Sequence, residues 1–171
     1  MGRLGKVNSK ILSLFIISFF GTGLISKKMP GTVGSIFAFF IAVLFLNIPE
    51  ILLPCSVFLF FIGAFFCDYY IRIKGFEESR DPAYVVIDEA CGVFLGAYLL
   101  KLFGNLSIIA LFFNLILFRI FDIFKPFPIK NIESYMKKNN KTMAFGIMFD
   151  DVLAAFLAAT IQIVVLKLVK L

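Results

Sequence analysis

The hydrophobic pattern of this chain consists of six long apolar runs separated by short segments that carry most of the charge. The runs cover residues 11–25, 35–46, 51–67, 84–103, 106–124 and 147–168. Their length and the absence of strict alternation predict helices throughout. A helix needs about 20 apolar residues to cross a bilayer, so the last three runs are long enough. The second run is short and, with the third, predicts a kinked or incomplete hairpin.

One further segment, between Pro128 and Met143, is polar but amphipathic. Its apolar residues fall on one face, and lysines flank the region, as in helices that lie against anionic headgroups. The predicted fold is therefore all-α: a membrane-embedded bundle of about six apolar helices with an additional amphipathic interfacial segment. No linker divides the chain, so residues 1–171 are expected to form one domain. Asp81-Pro82 predicts the start of the fourth helix.

The composition supports a membrane protein. Hydrophobic residues make up 61% of the chain and the mean hydropathy is +0.99, more apolar surface than a small soluble core needs. The three cysteines stand apart in apolar surroundings, which indicates small core residues rather than a zinc site or a disulfide framework. The net charge of +6 lies in short clusters between the runs. This favours an anionic lipid surface as the partner, and we expect no nucleic acid binding.

The basic residues also predict an orientation. If the runs alternate across a bilayer, the loops after the first, third and fifth runs hold ten basic residues, whereas the other loops hold only Lys101. By the positive-inside rule, the basic side is cytoplasmic. Three basic residues also precede the first run and would then lie outside, so this run is expected to be short, tilted or interfacial. It has the charge pattern of a signal peptide but no cleavage signature, and an anchoring or packing helix is the preferred interpretation.

Five carboxylates mark the ends of the runs on the basic side: Asp88, Glu89, Asp122, Asp150 and Asp151. Acidic residues beside membrane segments are costly and usually functional. The chain has no histidine, which excludes a histidine nucleophile and a Ser-His-Asp triad. Carboxylates with lysine and arginine remain, and these suit Mg²⁺ and phosphate. Because Mg²⁺ takes few protein carboxylates, five acids suggest two ions, or one ion and a general base.

Small residues follow the acids at helical spacing and predict that their helices approach closely. Gly92 and Gly96 follow Glu89, and alanines follow Asp151. This packing would bring the two acidic pairs together. The alternative is a structural ion-pair network of the acids with Arg119 and Lys125.

Four sequence blocks resemble, in order, the signature blocks of the phosphatidylglycerophosphatase A family. They read KMPGTVGS at 28–35, Asp81 with VVIDEACG at 85–92, FRIFDIFKPFPI at 118–129 and GIMFDD at 146–151. Val33 replaces an expected Trp, and Ala155 stands where Gly is frequent. The resemblance implies an all-helical, Mg²⁺-dependent enzyme of the bacterial inner membrane that hydrolyses phosphatidylglycerophosphate, a bilayer phospholipid, to phosphatidylglycerol and phosphate.

We assign expected roles on this basis. Asp88, Glu89, Asp150 and Asp151 are the predicted metal ligands, with Asp88 also counted among the catalytic groups. Asp122 is the candidate base or additional ligand, and Lys28, Arg119 and Lys125 are candidates to stabilise phosphate charge. The N-terminus of the second helix, where backbone donors attract anions, supplies the other substrate-binding candidates: Gly31, Thr32, Gly34 and Ser35.

Three other functions remain open at this point. Another lipid phosphomonoesterase would use the same residue types. A CDP-alcohol phosphotransferase would also be helical and Mg²⁺-dependent, but its Asp-rich helix motif is not found in the sequence. An ion or proton transporter would place its acids near the middle of the membrane rather than at helix ends.

Overall fold

The computed structural model describes residues 3–74, 82–139 and 142–169, with the side chains of 3–7 and of Lys74 left out. The described chain is all-helical, which confirms the predicted class. It contains seven α-helices: α1 Arg3–Ile17, α2 Pro30–Leu44, α3 Leu52–Lys74, α4 Ile87–Leu102, α5 Ile108–Phe124, α6 Ile129–Lys137 and α7 Met143–Val169.

The helix lengths differ from those of the apolar runs. Within the described residues, two stretches are long and apolar enough to cross a membrane, Pro49–Ile73 and Met143–Val169. The third run is therefore a full-length helix rather than part of an incomplete hairpin. Helices α4 and α5 have 16 and 17 residues and fall short of the predicted full spans. About six membrane crossings thus remains a prediction.

Helix α4 is the centre of the bundle. It packs against α2, α3, α5 and α7, and its residues from Ile87 to Ala97 are buried. A helix that is apolar all round is expected at such a position. Since its first turn carries Asp88 and Glu89, the central packing position also places two carboxylates inside the protein.

The predicted small-residue faces allow α4 and α7 to pack closely. A Cβ atom on Gly92 would lie 3.2 Å from the backbone oxygen of Asp151 and 2.7 Å from the Phe118 ring. On α7, Ala154, Ala155 and Ala158 are fully buried. Helices α4, α5 and α7 therefore approach one another closely near the acidic residues.

Two predicted helix ends were wrong. The first apolar run extends to residue 25, but helix α1 ends at Ile17. Phe19, Phe20 and Gly21 have positive φ and turn the chain there. The Ile17 carbonyl then accepts a hydrogen bond from the backbone N–H of Val86. Val86 lies in an irregular segment that follows Pro82. Helix α4 therefore begins at Ile87 rather than at the predicted Asp81-Pro82, and no side chain caps it. Asp81 lies outside the described residues.

A pair of buried amides joins α5 to α7. The Asn114 side chain donates to Oε1 of Gln162 over 3.0 Å, and Gln162 donates to the Ala110 carbonyl over 2.8 Å. Both residues are buried. Because each amide has a partner, the two polar groups are accommodated inside an otherwise apolar contact.

Candidate active site

A polar cavity of about 240 Å³ lies where α4, α5 and α7 meet the segment before α4. All five carboxylates singled out from the sequence line it, together with two lysines: Asp88, Glu89, Asp122, Asp150, Asp151, Lys125 and Lys137. Asp88 and Glu89 lie in the first turn of α4, and Asp122 lies in the last turn of α5. The Asp150-Asp151 pair lies two turns inside α7, because that helix begins at Met143 rather than at Ile147.

Three of the acids form a compact group suited to a cation. Oxygen atoms of Asp88, Glu89 and Asp151 lie within 4.8 Å of one another, and all three residues are buried. Oε2 of Glu89 and Oδ2 of Asp151 have no hydrogen-bond partner among the described residues. Unpartnered buried carboxylate oxygens are costly. The group therefore fits a hard divalent cation, which takes oxygen ligands.

Asp150, the fourth predicted metal ligand, has a different set of contacts. Its carboxylate accepts a hydrogen bond from the Lys125 ammonium, and Lys137 lies 3.9 Å away. The neighbouring Asp151 belongs to the three-carboxylate group instead. Adjacent helical residues point about 100° apart, so the two members of the pair face different partners.

Arg119 links two of the acids. Its Nη1 lies 2.6 Å from Oδ2 of Asp122 and 3.4 Å from Oε1 of Glu89, while its Nε has no partner in the part of the chain described. One helical turn separates Arg119 from Asp122 on α5. The ion-pair network expected as the alternative to a metal site is thus present around Arg119, and the compact carboxylate group lies beside it.

Sequence reasoning missed the contribution of α6. Lys137 lines the cavity, and Glu133 accepts hydrogen bonds from Lys125 over 2.5 Å and from Lys137 over 2.6 Å. Burial acts to raise the pKa of Glu133, but hydrogen bonds from the two lysines outweigh it and lower this pKa. Burial likewise opposes the charged form of Lys125, but Asp150 and Glu133 raise its pKa, so it remains an ammonium. The i, i+4 spacing of Glu133 and Lys137 was the available signal.

The geometry of Lys125 explains how it reaches the cavity. It follows the last residue of α5 in a left-handed conformation, with φ of 44°, and its backbone N–H bonds to the Phe121 carbonyl. A residue with a Cβ atom adopts this conformation at a cost. The ion pairs of the Lys125 ammonium with Glu133 and Asp150 help to offset this cost.

The first sequence block lies behind the cavity rather than on its wall. A Cβ atom on Gly31 would lie 2.2 Å from Oε1 of Glu89 and 2.9 Å from Nη2 of Arg119, so a side chain there would displace both. Ser35 is fully buried and donates to the Gly31 carbonyl over 2.8 Å. Gly34 packs against Val86.

The other two members of that block lie nearer to solvent. Lys28 is exposed and Thr32 is half-buried, at the beginning of α2. Neither residue lines the cavity. Phosphate binding by this block remains a prediction, whereas the role of Gly31 in making room for Glu89 is visible in the packing.

The formal charge of the site is strongly negative. Six carboxylates and three cations line the cavity or contact its lining residues, which gives a charge of −3: Asp88, Glu89, Asp122, Glu133, Asp150 and Asp151 against Arg119, Lys125 and Lys137. A buried excess of negative charge favours cation binding.

Two comparisons with known proteins identify the family of this chain. The family model of phosphatidylglycerophosphatase A matches residues 15–166. The phosphatidylglycerophosphatase A of Haemophilus influenzae is 35% identical over 144 residues, which cover 83% of this chain and 81% of that protein. No solved structure gives a significant match. The resemblance of the four sequence blocks is thereby confirmed, and the chain belongs to the phosphatidylglycerophosphatase A family.

Proposed function

We propose that this protein is a Mg²⁺-dependent lipid phosphatase of the bacterial inner membrane. It hydrolyses phosphatidylglycerophosphate to phosphatidylglycerol and inorganic phosphate at the cytoplasmic face. The compact group of Asp88, Glu89 and Asp151 carries the proposal. The family supports the substrate, since the Haemophilus influenzae relative is named for this activity. The two membrane-capable helices are consistent with a substrate that stays in the bilayer.

The charge of the cavity argues for a divalent cation. With every carboxylate ionised, the site has a formal charge of −3 and repels a phosphomonoester dianion, most strongly where water is excluded. That charge already includes Arg119, Lys125 and Lys137, so a cation from outside the chain is needed to offset it. Mg²⁺ is the preferred candidate because it takes oxygen ligands and completes its coordination with water and substrate phosphate.

Asp88, Glu89 and Asp151 would hold the ion. When bound, Mg²⁺ supplies positive charge to the phosphate oxygens and makes a coordinated water more acidic. Arg119 contacts Oε1 of Glu89 over 3.4 Å, which leaves the unpartnered Oε2 for the ion, and lies 2.6 Å from Oδ2 of Asp122. Both contacts keep the acids in place before substrate arrives, which reduces the reorganisation that the reaction requires.

The reaction is hydrolysis at a phosphorus atom. The oxygen of a water molecule forms a bond to phosphorus, and the bond from phosphorus to the terminal glycerol oxygen breaks. Asp122, which lines the cavity, is the proposed acceptor of the proton that the water loses. The glycerol oxygen takes a proton from solvent, so the products are a lipid alcohol and inorganic phosphate.

The test is phosphate release from phosphatidylglycerophosphate by the purified protein in detergent. We expect activity with Mg²⁺, loss in excess EDTA and recovery when Mg²⁺ is restored. Asp88→Asn should abolish the activity, because a neutral amide is a weaker ligand for a hard cation. Asp68→Asn is the matched control, since Asp68 is a more exposed carboxylate on α3 that pairs with Arg72. Full activity in chelator would refute the role of the metal.

A further inference from the structure

A pair of ammonium groups shares the cavity with the carboxylate group. Lys125, from the end of α5, and Lys137, from the last turn of α6, both donate to Oε1 of Glu133. Two like charges from different elements are thus held close together by one bridging carboxylate. Both lysine side chains are about four-fifths buried, with exposed fractions of 22% and 18%. Such a pair is two ammonium groups held in place by carboxylates rather than a set of exposed surface lysines.

The ammonium pair is chemically distinct from the metal group. Asp88, Glu89 and Asp151 offer only anionic oxygens, whereas the part of the cavity around the lysines contains two cations balanced by Glu133 and Asp150. A lysine ammonium has three donors, and Lys125 uses two of them on these carboxylates. A further anionic oxygen is therefore a suitable partner for Lys125.

We propose that Lys125 and Lys137 bind the second phosphate of the substrate. This inference rests on the proposed function. Phosphatidylglycerophosphate carries a terminal phosphomonoester, which reacts, and an internal phosphodiester, which joins the headgroup to the diacylglycerol. The carboxylate group with its cation takes the monoester, and the ammonium pair takes the diester monoanion through charge-assisted hydrogen bonds. The two lysines would then determine specificity for a headgroup with two phosphates.

A purely structural role makes a different prediction. Helix α6 already packs against α7, since a Cβ atom on Gly146 of α7 would lie 2.9 Å from the Cβ atom of Met136, and Ile129 of α6 is buried. If Lys137 only helped to hold α6 in place, its loss would lower stability and impair binding of every ligand alike. A diester site requires a selective loss.

The experiment compares Lys137→Gln with the unaltered protein. We expect KM for phosphatidylglycerophosphate to rise about tenfold with a smaller change in kcat, the signature of lost ground-state binding. Two competing inhibitors separate the phosphates. Phosphatidylglycerol, which carries only the diester, should become about tenfold weaker, whereas inorganic phosphate, which mimics the monoester, should inhibit as before. Lys137→Arg keeps the charge and should restore much of the affinity for phosphatidylglycerol.

Lys138→Gln is the matched control. Lys138 is the next residue and is exposed, so the substitution removes the same charge outside the cavity. It should leave both inhibition constants unchanged. An equal weakening of both inhibitors in Lys137→Gln, or no inhibition of the unaltered protein by phosphatidylglycerol, would overturn the inference alone. Absence of phosphate release by the unaltered protein would overturn the proposed function as well.

Discussion

Replacing Gly31 by alanine tests whether the first block of α2 supports the metal group. The new Cβ atom would lie 2.2 Å from Oε1 of Glu89, whereas ordinary contacts begin at 3.4 Å. The Glu89 carboxylate therefore has to move by about 1 Å, and a displacement of that size can lower the rate of a catalytic site by around 100-fold. The atoms that clash are the ends of the flexible Glu89 and Arg119 side chains, so the backbone fold should survive.

The assay is phosphate release measured across a range of Mg²⁺ concentrations. For Gly31→Ala we expect turnover to fall by roughly 10- to 100-fold and the half-saturating Mg²⁺ concentration to rise by a similar factor, as for other losses of support around a metal ligand. The melting temperature without Mg²⁺ should change little. Wild-type turnover with unchanged Mg²⁺ dependence would refute the packing argument.

Gly34→Ala supplies the contrast. Its Cβ atom would lie 2.7 Å from the Cβ atom of Val86, which is fixed to the backbone and cannot rotate away. Overpacking of this kind typically costs about 1–3 kcal/mol of stability. We expect a lower melting temperature with an unchanged half-saturating Mg²⁺ concentration. The two glycines lie three residues apart, yet Gly31→Ala should change turnover and Mg²⁺ dependence, whereas Gly34→Ala should change the melting temperature.

Three further substitutions and one labelling experiment address the remaining parts of the site. Asp151→Asn should lower turnover by ~100-fold and abolish the rise in melting temperature caused by Mg²⁺, whereas Asp150→Asn should lower the melting temperature yet keep that response, because its carboxylate pairs with a lysine. Lys28 and Lys138 are exposed, and an impermeant amine reagent should label both from the cytoplasmic face; labelling from opposite faces would contradict the topology. The folded protein lowers the pKa of Glu133, so its stabilisation is complete above the ordinary value of 4.5 and is lost as pH falls through the lowered value; the melting difference from Glu133→Gln should shrink below pH 4.5, and a constant difference would refute the bridge.

The hydrophobic pattern predicted the helices better than their ends. Apolar runs determine which segments are buried, so the all-helical bundle followed directly. Their ends depend on tertiary contacts that the pattern does not contain. The first helix ends at Ile17 because three successive residues from Phe19 adopt positive φ, and two of them are phenylalanines, which carry no turn signal. The start of α4 likewise follows from the contact of Val86 with Ile17.

Some features of the site were predictable from the sequence and others were not. The clustering of the acids was predictable because all of them lie near the ends of apolar runs on the side with the basic loops. The separate partners of Asp150 and Asp151 were not predictable, since they depend on the rotation of α7 about its axis. Glu133 was overlooked because an acidic residue on a short amphipathic helix resembles an ordinary solvated group. Only the packing of α6 shows that it is held at the cavity.

The buried amides of Asn114 and Gln162 have a consequence for the alignment of the helices. An apolar contact between two smooth helices tolerates sliding, because one turn resembles the next. A shift of α5 along α7 by one turn, about 5.4 Å, would separate the two amides and leave both without partners in an apolar interior. The amide pair therefore fixes the position of α5 along α7. Asp122 lies eight residues beyond Asn114 on the same rigid helix, so a polar contact remote from the cavity fixes the height at which the α5 carboxylate meets those of α7.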